Sequence, residues 1–174
     1  MRIVNICSDV HMLAPWSAGF LPEECLTDMS GYSTWTRYGQ SKLANILFTT
    51  ELARRHPKIT SVAIHPGGVA TSLLDPFKRD HPFITMLVDP LWKLCATPAS
   101  KGAWNQTWAA TGPVEGKPWT KLEVKADRQV VEVRNGSYYT PVAKEGGQTK
   151  FAKDPELARR LWEWTEEQLQ ARGY

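Results

Sequence analysis

Residues 2–8 (RIVNICS) carry β-branched and apolar side chains on both strand faces, at Ile3, Val4, Ile6 and Cys7. A strand without a polar face needs cover on both sides, which a parallel sheet with helices on each face supplies. Residues 59–64 (ITSVAI) repeat the pattern. Between them, 36–56 carries Leu43, Ile46, Leu47, Thr50 and Ala53 at helical spacing, with Arg54, Arg55 and His56 in the last turn. Cations suit that end of a helix, and Pro57 stops it. Strand, long helix, strand describes a right-handed parallel crossover.

The same logic extends down the chain. Residues 9–34 read as a long loop with one short helical turn. Thr97-Pro98 predicts an N-cap followed by proline at the first helical position, with a helix to about residue 110. Gly112-Pro113 ends it. Residues 136–142 (GSYYTPV) predict a third short strand, and Asp154-Pro155 caps a last helix over 155–170. Leu157, Leu161, Trp164 and Leu169 give that helix an apolar stripe; Trp162 and Trp164, two apart, read as core packing rather than an interface. The expectation is an α/β fold, a doubly wound parallel sheet of about three strands with flanking helices, in a single unit over 1–174. Strand 2–8 would lie at an edge of so thin a sheet, unpaired.

Composition narrows the function. Of 174 residues, 21 are basic and 18 acidic, and they are interspersed, so nothing asks for nucleic acid. The 3 cysteines are widely spaced, without a zinc or disulfide pattern, and the 4 histidines give no metal signature. The opening residues do not form a signal peptide, and no apolar run reaches the ~18 residues that span a bilayer. The chain therefore reads as intracellular and cytoplasmic, without membrane association.

Three short motifs carry chemistry. Tyr38-Gly-Gln-Ser-Lys42 sets a phenol and an ammonium at i and i+4, on one helix face. A phenol exchanges protons poorly at neutral pH, and a nearby cation favours its ionised form. Such a pair can act as acid to a carbonyl or base to an alcohol, although on its own it is as readily a surface pair. Ser8 ends an apolar strand, where ligands of open parallel sheets sit, and a hydroxyl there can orient a substrate oxygen. The plainer reading is a serine capping a turn. His65-Pro-Gly-Gly-Val-Ala-Thr71 follows the next strand; its glycines let backbone approach a ligand, and Thr71 offers a hydroxyl and an N–H. By itself it is equally a strand–helix turn, and His65 reads as a packing histidine.

Taken in order on strand, helix and strand, RIVNICS, YGQSKLAN and HPGGVAT resemble the short-chain dehydrogenase/reductase (SDR) family, and most of all its retinol-dehydrogenase-like branch. GSYYTPVAKEGG and DPELARRLWEWTEEQL resemble the closing strand and helix of that branch. The resemblance implies a Rossmann-like sheet. It implies that Ser8 orients substrate, Tyr38 is the catalytic acid/base, and Lys42 binds the nicotinamide ribose and tunes the tyrosine. Tyr38, Lys42, Pro66, Gly67, Val69 and Thr71 would line NADP or NAD, and residues 72–97 would form a lid suited to a lipophilic alcohol or carbonyl compound. Helix 36–56 would be a homodimer element.

Two departures qualify the resemblance. The family's Gly-rich phosphate turn and its Asn-Ala-Gly motif have no counterpart in the 174 residues, so the chain reads as a C-terminal catalytic half-domain with the N-terminal strands missing. Residues 113–133 exceed the family pattern; 117–129 (KPWTKLEVKADRQ) read as an insertion, either a surface hairpin or a mis-spliced segment. The alternative to an oxidoreductase is a truncated, inactive fragment serving as an interaction or dimerisation module.

Overall fold

A computed structural model describes residues 1–14, 28–69, 86, 96–117 and 131–174. Its sheet contains β1 (Arg2–Ile6), β2 (Thr60–Ile64), β3 (Tyr138–Thr140) and β4 (Lys144–Glu145), in that order across the sheet. β1 and β2 pair in parallel, Val4 opposite Val62, and β2 and β3 pair in parallel, Ala63 opposite Tyr138. β4 turns back antiparallel to β3. This two-residue return lacks any apolar pattern, so it escaped the sequence reading; the three parallel strands are those expected.

The helices are α1 (Thr34–Arg55), α2 (Ala99–Thr111) and α3 (Pro155–Gln170). α1 begins two residues before its expected start because Ser33 Oγ accepts the Thr36 N–H at 3.1 Å. Asp154 caps α3 as expected, its Oδ1 accepting from the N–H groups of Glu156 and Leu157. α2 differs at its start. Pro98, not Thr97, is the N-cap, because Thr97 is drawn into a bridge with Val69 and donates its N–H to Gly68 at 2.8 Å.

The sheet is covered on both faces, as apolar strands require. Leu43, Ile46 and Leu47 of α1 pack with Leu157, Ala158 and Leu161 of α3 over Ala63 and Tyr138. Ala109 and Trp108 of α2 pack with Val133 over Val62, Ile64 and Tyr139. The alternation Val62/Ala63/Ile64 and Tyr138/Tyr139 distributes side chains to the two layers, as strand geometry dictates. Arg2 joins β1 to the second layer by donating to the carbonyls of Ala109 and Gly112, both at 2.8 Å, which satisfies the end of α2.

The aromatic residues of α3 pack inward as expected. Trp164 lies against the first layer, and Trp162 stacks on Phe48 with ring centroids 5.4 Å apart. The roots of the 113–133 stretch belong to the packed fold: Val114 and Val133 form a bridge, Val133 is fully buried, and Lys117 Nζ reaches Thr60 Oγ1 at 3.0 Å. Residues 118–130 lie outside the described residues, as does nearly all of the expected lid.

Candidate active site

Beyond Ile6, Cys7 prolongs the pairing by donating its N–H to Ile64 O at 2.7 Å. Burial pushes its thiol up to about 12, so it is protonated and inert at neutral pH. Ser8 then leaves the sheet in an extended conformation and caps a 3₁₀ turn, Asp9–Leu13. Ser8 Oγ accepts the Val10 N–H at 3.3 Å. That bond occupies an oxygen lone pair and leaves the hydroxyl proton free for another acceptor. The capping role and the catalytic reading are thus compatible in one side chain.

α1 runs directly against this turn. A Cβ on Gly39 would stand 2.7 Å from Val10 O and 2.9 Å from Ala14 N, so only glycine permits the approach. Three residues on, Lys42 Nζ donates to Ile6 O at 3.2 Å, and Asn45 Nδ2 donates to the same carbonyl at 3.2 Å. The ammonium lies 5.5 Å from the centroid of the Tyr38 ring. Ser8, Tyr38 and Lys42 therefore share one corner of the molecule, between the carboxyl end of β1 and the first half of α1. All three are half-buried, which leaves them reachable.

The second loop leaves β2. Pro66 and Gly67 are partly exposed, and Gly67 takes φ +90°, which favours glycine. Val69 leans on α2, where a Cβ on Gly102 would stand 2.5 Å from Val69 Cγ2. Asn105, fully buried on the same face, donates from Nδ2 to His65 O at 2.8 Å and accepts the Ala143 N–H at Oδ1 at 3.0 Å. It thereby ties α2 to the root of the glycine loop and to Ala143, whose φ of +60° is unusual for a side-chain-bearing residue. Thr71 lies outside the described residues.

His65 is more than a packing residue. Its Nε2 lies 3.1 Å from Asp9 Oδ2, and Asp9 Oδ1 accepts the Tyr138 hydroxyl at 2.8 Å. Burial lowers the His65 pKa, opposed by the nearby Asp9 carboxylate. Tyr138 is raised, first by burial and then by its bond to Asp9, so it serves as a neutral donor. Asn45, Asp9, Asn105 and Tyr138 were not singled out in the sequence. Two signals existed: Asn45 shares a helix face with Lys42, and Asn105 interrupts an otherwise small apolar stripe with Gly102 and Ala109.

No family model matches the chain. Individual relatives do. It is 31% identical over 99% of its length to the short-chain dehydrogenase/reductase drtF of Aspergillus calidoustus, covering 51% of that protein. It is 35% identical over 95% of its length to human retinol dehydrogenase 14, covering 43% of it. A crystal structure of an uncharacterized protein from Mycobacterium paratuberculosis superposes with a TM-score of 0.55 at 26% identity, over 95% of this chain and 49% of the other. The chain thus spans about half the length of the relatives it matches. Since relatives named for the same family match nearly the whole of its length at 31% and 35% identity, the chain is a partial chain of the short-chain dehydrogenase/reductase family.

Proposed function

We propose that this chain carries the proton-transfer and substrate-orienting half of an NAD(P)-dependent oxidoreductase that interconverts an alcohol and a carbonyl compound. The observation that supports it most is the convergence on Ile6 O. Lys42 and Asn45 both grip that carbonyl, two residues before Ser8, with Tyr38 one turn away on the same helix. Tyr38 Oη would give a proton to a carbonyl oxygen or take one from an alcohol. Ser8, its oxygen already engaged by Val10, would turn its O–H toward that same substrate oxygen. Lys42 spends one N–H on Ile6 O and keeps two for a ribose.

The residues fit the nicotinamide–ribose end of a dinucleotide. Lys42 supplies the cation, and Pro66, Gly67 and Val69 supply the loop, in which Gly67 takes φ +90° and a Cβ would meet Pro141 Cγ at 3.1 Å. When bound, the nicotinamide supplies or takes up the hydride. Relatives that include a retinol dehydrogenase favour a lipophilic substrate. Self-association would involve the flanks of α1 left free by α3.

The test uses the full chain with NADPH, NADH and a panel of lipophilic aldehydes and ketones. Where the chain turns over, Tyr38→Phe should reduce the rate by about 10²–10⁴-fold with the fold intact by circular dichroism. An unimpaired phenylalanine variant would overturn the assignment. The second reading, an inactive interaction module, is favoured by one observation: β1 has no neighbour on its outer side among the described residues. Absence of nicotinamide binding at millimolar cofactor would select it.

A further inference from the structure

Asp9, just past β1, links to residues in and beside the other two parallel strands. It follows Ser8 directly, and its two carboxylate oxygens hold different strands: Oδ1 accepts from Tyr138 Oη at 2.8 Å, at the start of β3, and Oδ2 faces His65 Nε2 at 3.1 Å, just past β2. A second contact braces the same turn. His11 is buried, its Nδ1 lies 2.8 Å from Ser8 O, and its Nε2 accepts the Thr149 N–H at 3.3 Å. With Nε2 an acceptor, Nδ1 carries the proton and donates to Ser8 O. The His11 ring also meets Tyr138 edge to face, with centroids 5.6 Å apart.

The backbone of Ser8 is therefore held from one side by His11, and the residue after it is held from the other by Tyr138 and His65. We propose that Asp9 is the positioning residue for the Ser8 hydroxyl: one carboxylate fixes the turn that aims Oγ by joining it to His65 beyond β2 and to Tyr138 of β3. The role rests on the reading of Ser8 as the substrate-orienting group. Asp9 need not touch substrate to perform it. For the bond to Asp9, His65 must carry its proton on Nε2; His65 Nδ1 is buried with no hydrogen-bond partner among the described residues, so no acceptor there favours a proton on Nδ1 instead.

The experiment uses the full chain labelled with ¹⁵N. In the parent protein the His65 ring nitrogens should show the Nε2–H tautomer. Asp9→Asn keeps one acceptor for Tyr138 but turns an amide donor toward His65, so the Nε2–H signature should be lost. The exchange rate of the Val10 amide, the donor to Ser8 Oγ, should rise about tenfold, with the Leu47 and Val62 amides unchanged. Tyr138→Phe, which removes one of the two bonds, should give a smaller rise and serves if the asparagine variant does not fold. In turnover, Asp9→Asn should lower kcat about tenfold while leaving cofactor Kd unchanged.

An unchanged Val10 exchange rate in the variants, or an unchanged kcat, overturns the proposal. Loss of turnover in the parent protein would count against the proposed function instead, and the tautomer and exchange readouts would still decide the role of Asp9.

Discussion

The two loops at the carboxyl ends of β1 and β2 are seated by the same device and secured by different ones. Each presses against a glycine of a helix: the Ser8 turn against Gly39 of α1, and the Pro66–Val69 loop against Gly102 of α2. At Gly39 the opposing atoms are backbone, Val10 O and Ala14 N. At Gly102 they are the methyl groups of one valine that is itself partly exposed. Backbone packed directly on a helix cannot yield without moving the turn, whereas the methyl groups of a partly exposed valine can turn aside. The first loop also sits on the larger core layer. The loop proposed to orient substrate thus meets its helix through backbone, and the loop proposed to line the nicotinamide meets its helix through a side chain.

The sharpest way to break this contrast is Gly39→Ala. Steric overlap with fixed backbone outweighs the helix-propensity gain of alanine, and a net loss of about 2 kcal/mol is expected in urea denaturation. Next is Asn105→Ala, which strands the His65 carbonyl and the Ala143 N–H; about 1.5 kcal/mol of stability should go, with amide protection lost at Ala143. Gly102→Ala should cost less than about 1 kcal/mol, because displacement of Val69 and the helix gain nearly offset. Its signature is a shift of the Gly67 and Val69 resonances rather than unfolding. Equal destabilisation by the two glycine variants would erase the distinction.

Acidification sharpens it by a different route, with the smallest effect. Glu51 of α1 is buried, and its hydrogen bonds to Arg54, at 2.9 and 2.6 Å, and then to Arg55 hold its carboxyl at about 2. A depressed folded value means its stabilisation is complete above the ordinary carboxylate value of 4.5 and is lost as pH falls toward about 2. Since the Ser8 turn leans on α1 and the glycine loop on α2, hydrogen exchange across that window should open at Val10 before Val69. The reverse order would show that the two loops do not follow their separate helices.

Much of this was legible beforehand because it is local. A β-branched run specifies a strand, 3–4 spacing specifies α1, and Asp154-Pro155 specifies the start of α3, each through interactions among neighbours in the chain. The pairing of Tyr38 with Lys42 is local as well, since one helical turn brings i and i+4 together. α2 starts one residue later than local sequence predicts because Thr97 answers to Val69, 28 residues earlier in the chain, rather than to its own helix.

The sequence alone pointed to the family through its motifs and to the parallel crossover through its strand–helix–strand pattern. Tertiary structure decided which side chains are braced and by what. Asp9 reaches Tyr138 across 129 residues, Asn105 reaches His65 across 40, and Lys42 meets Ile6 O across 36. Hydrogen bonds at such separations exist only after the sheet has brought its strands together. No local preference announces them, because each donor and acceptor would be equally at home in water.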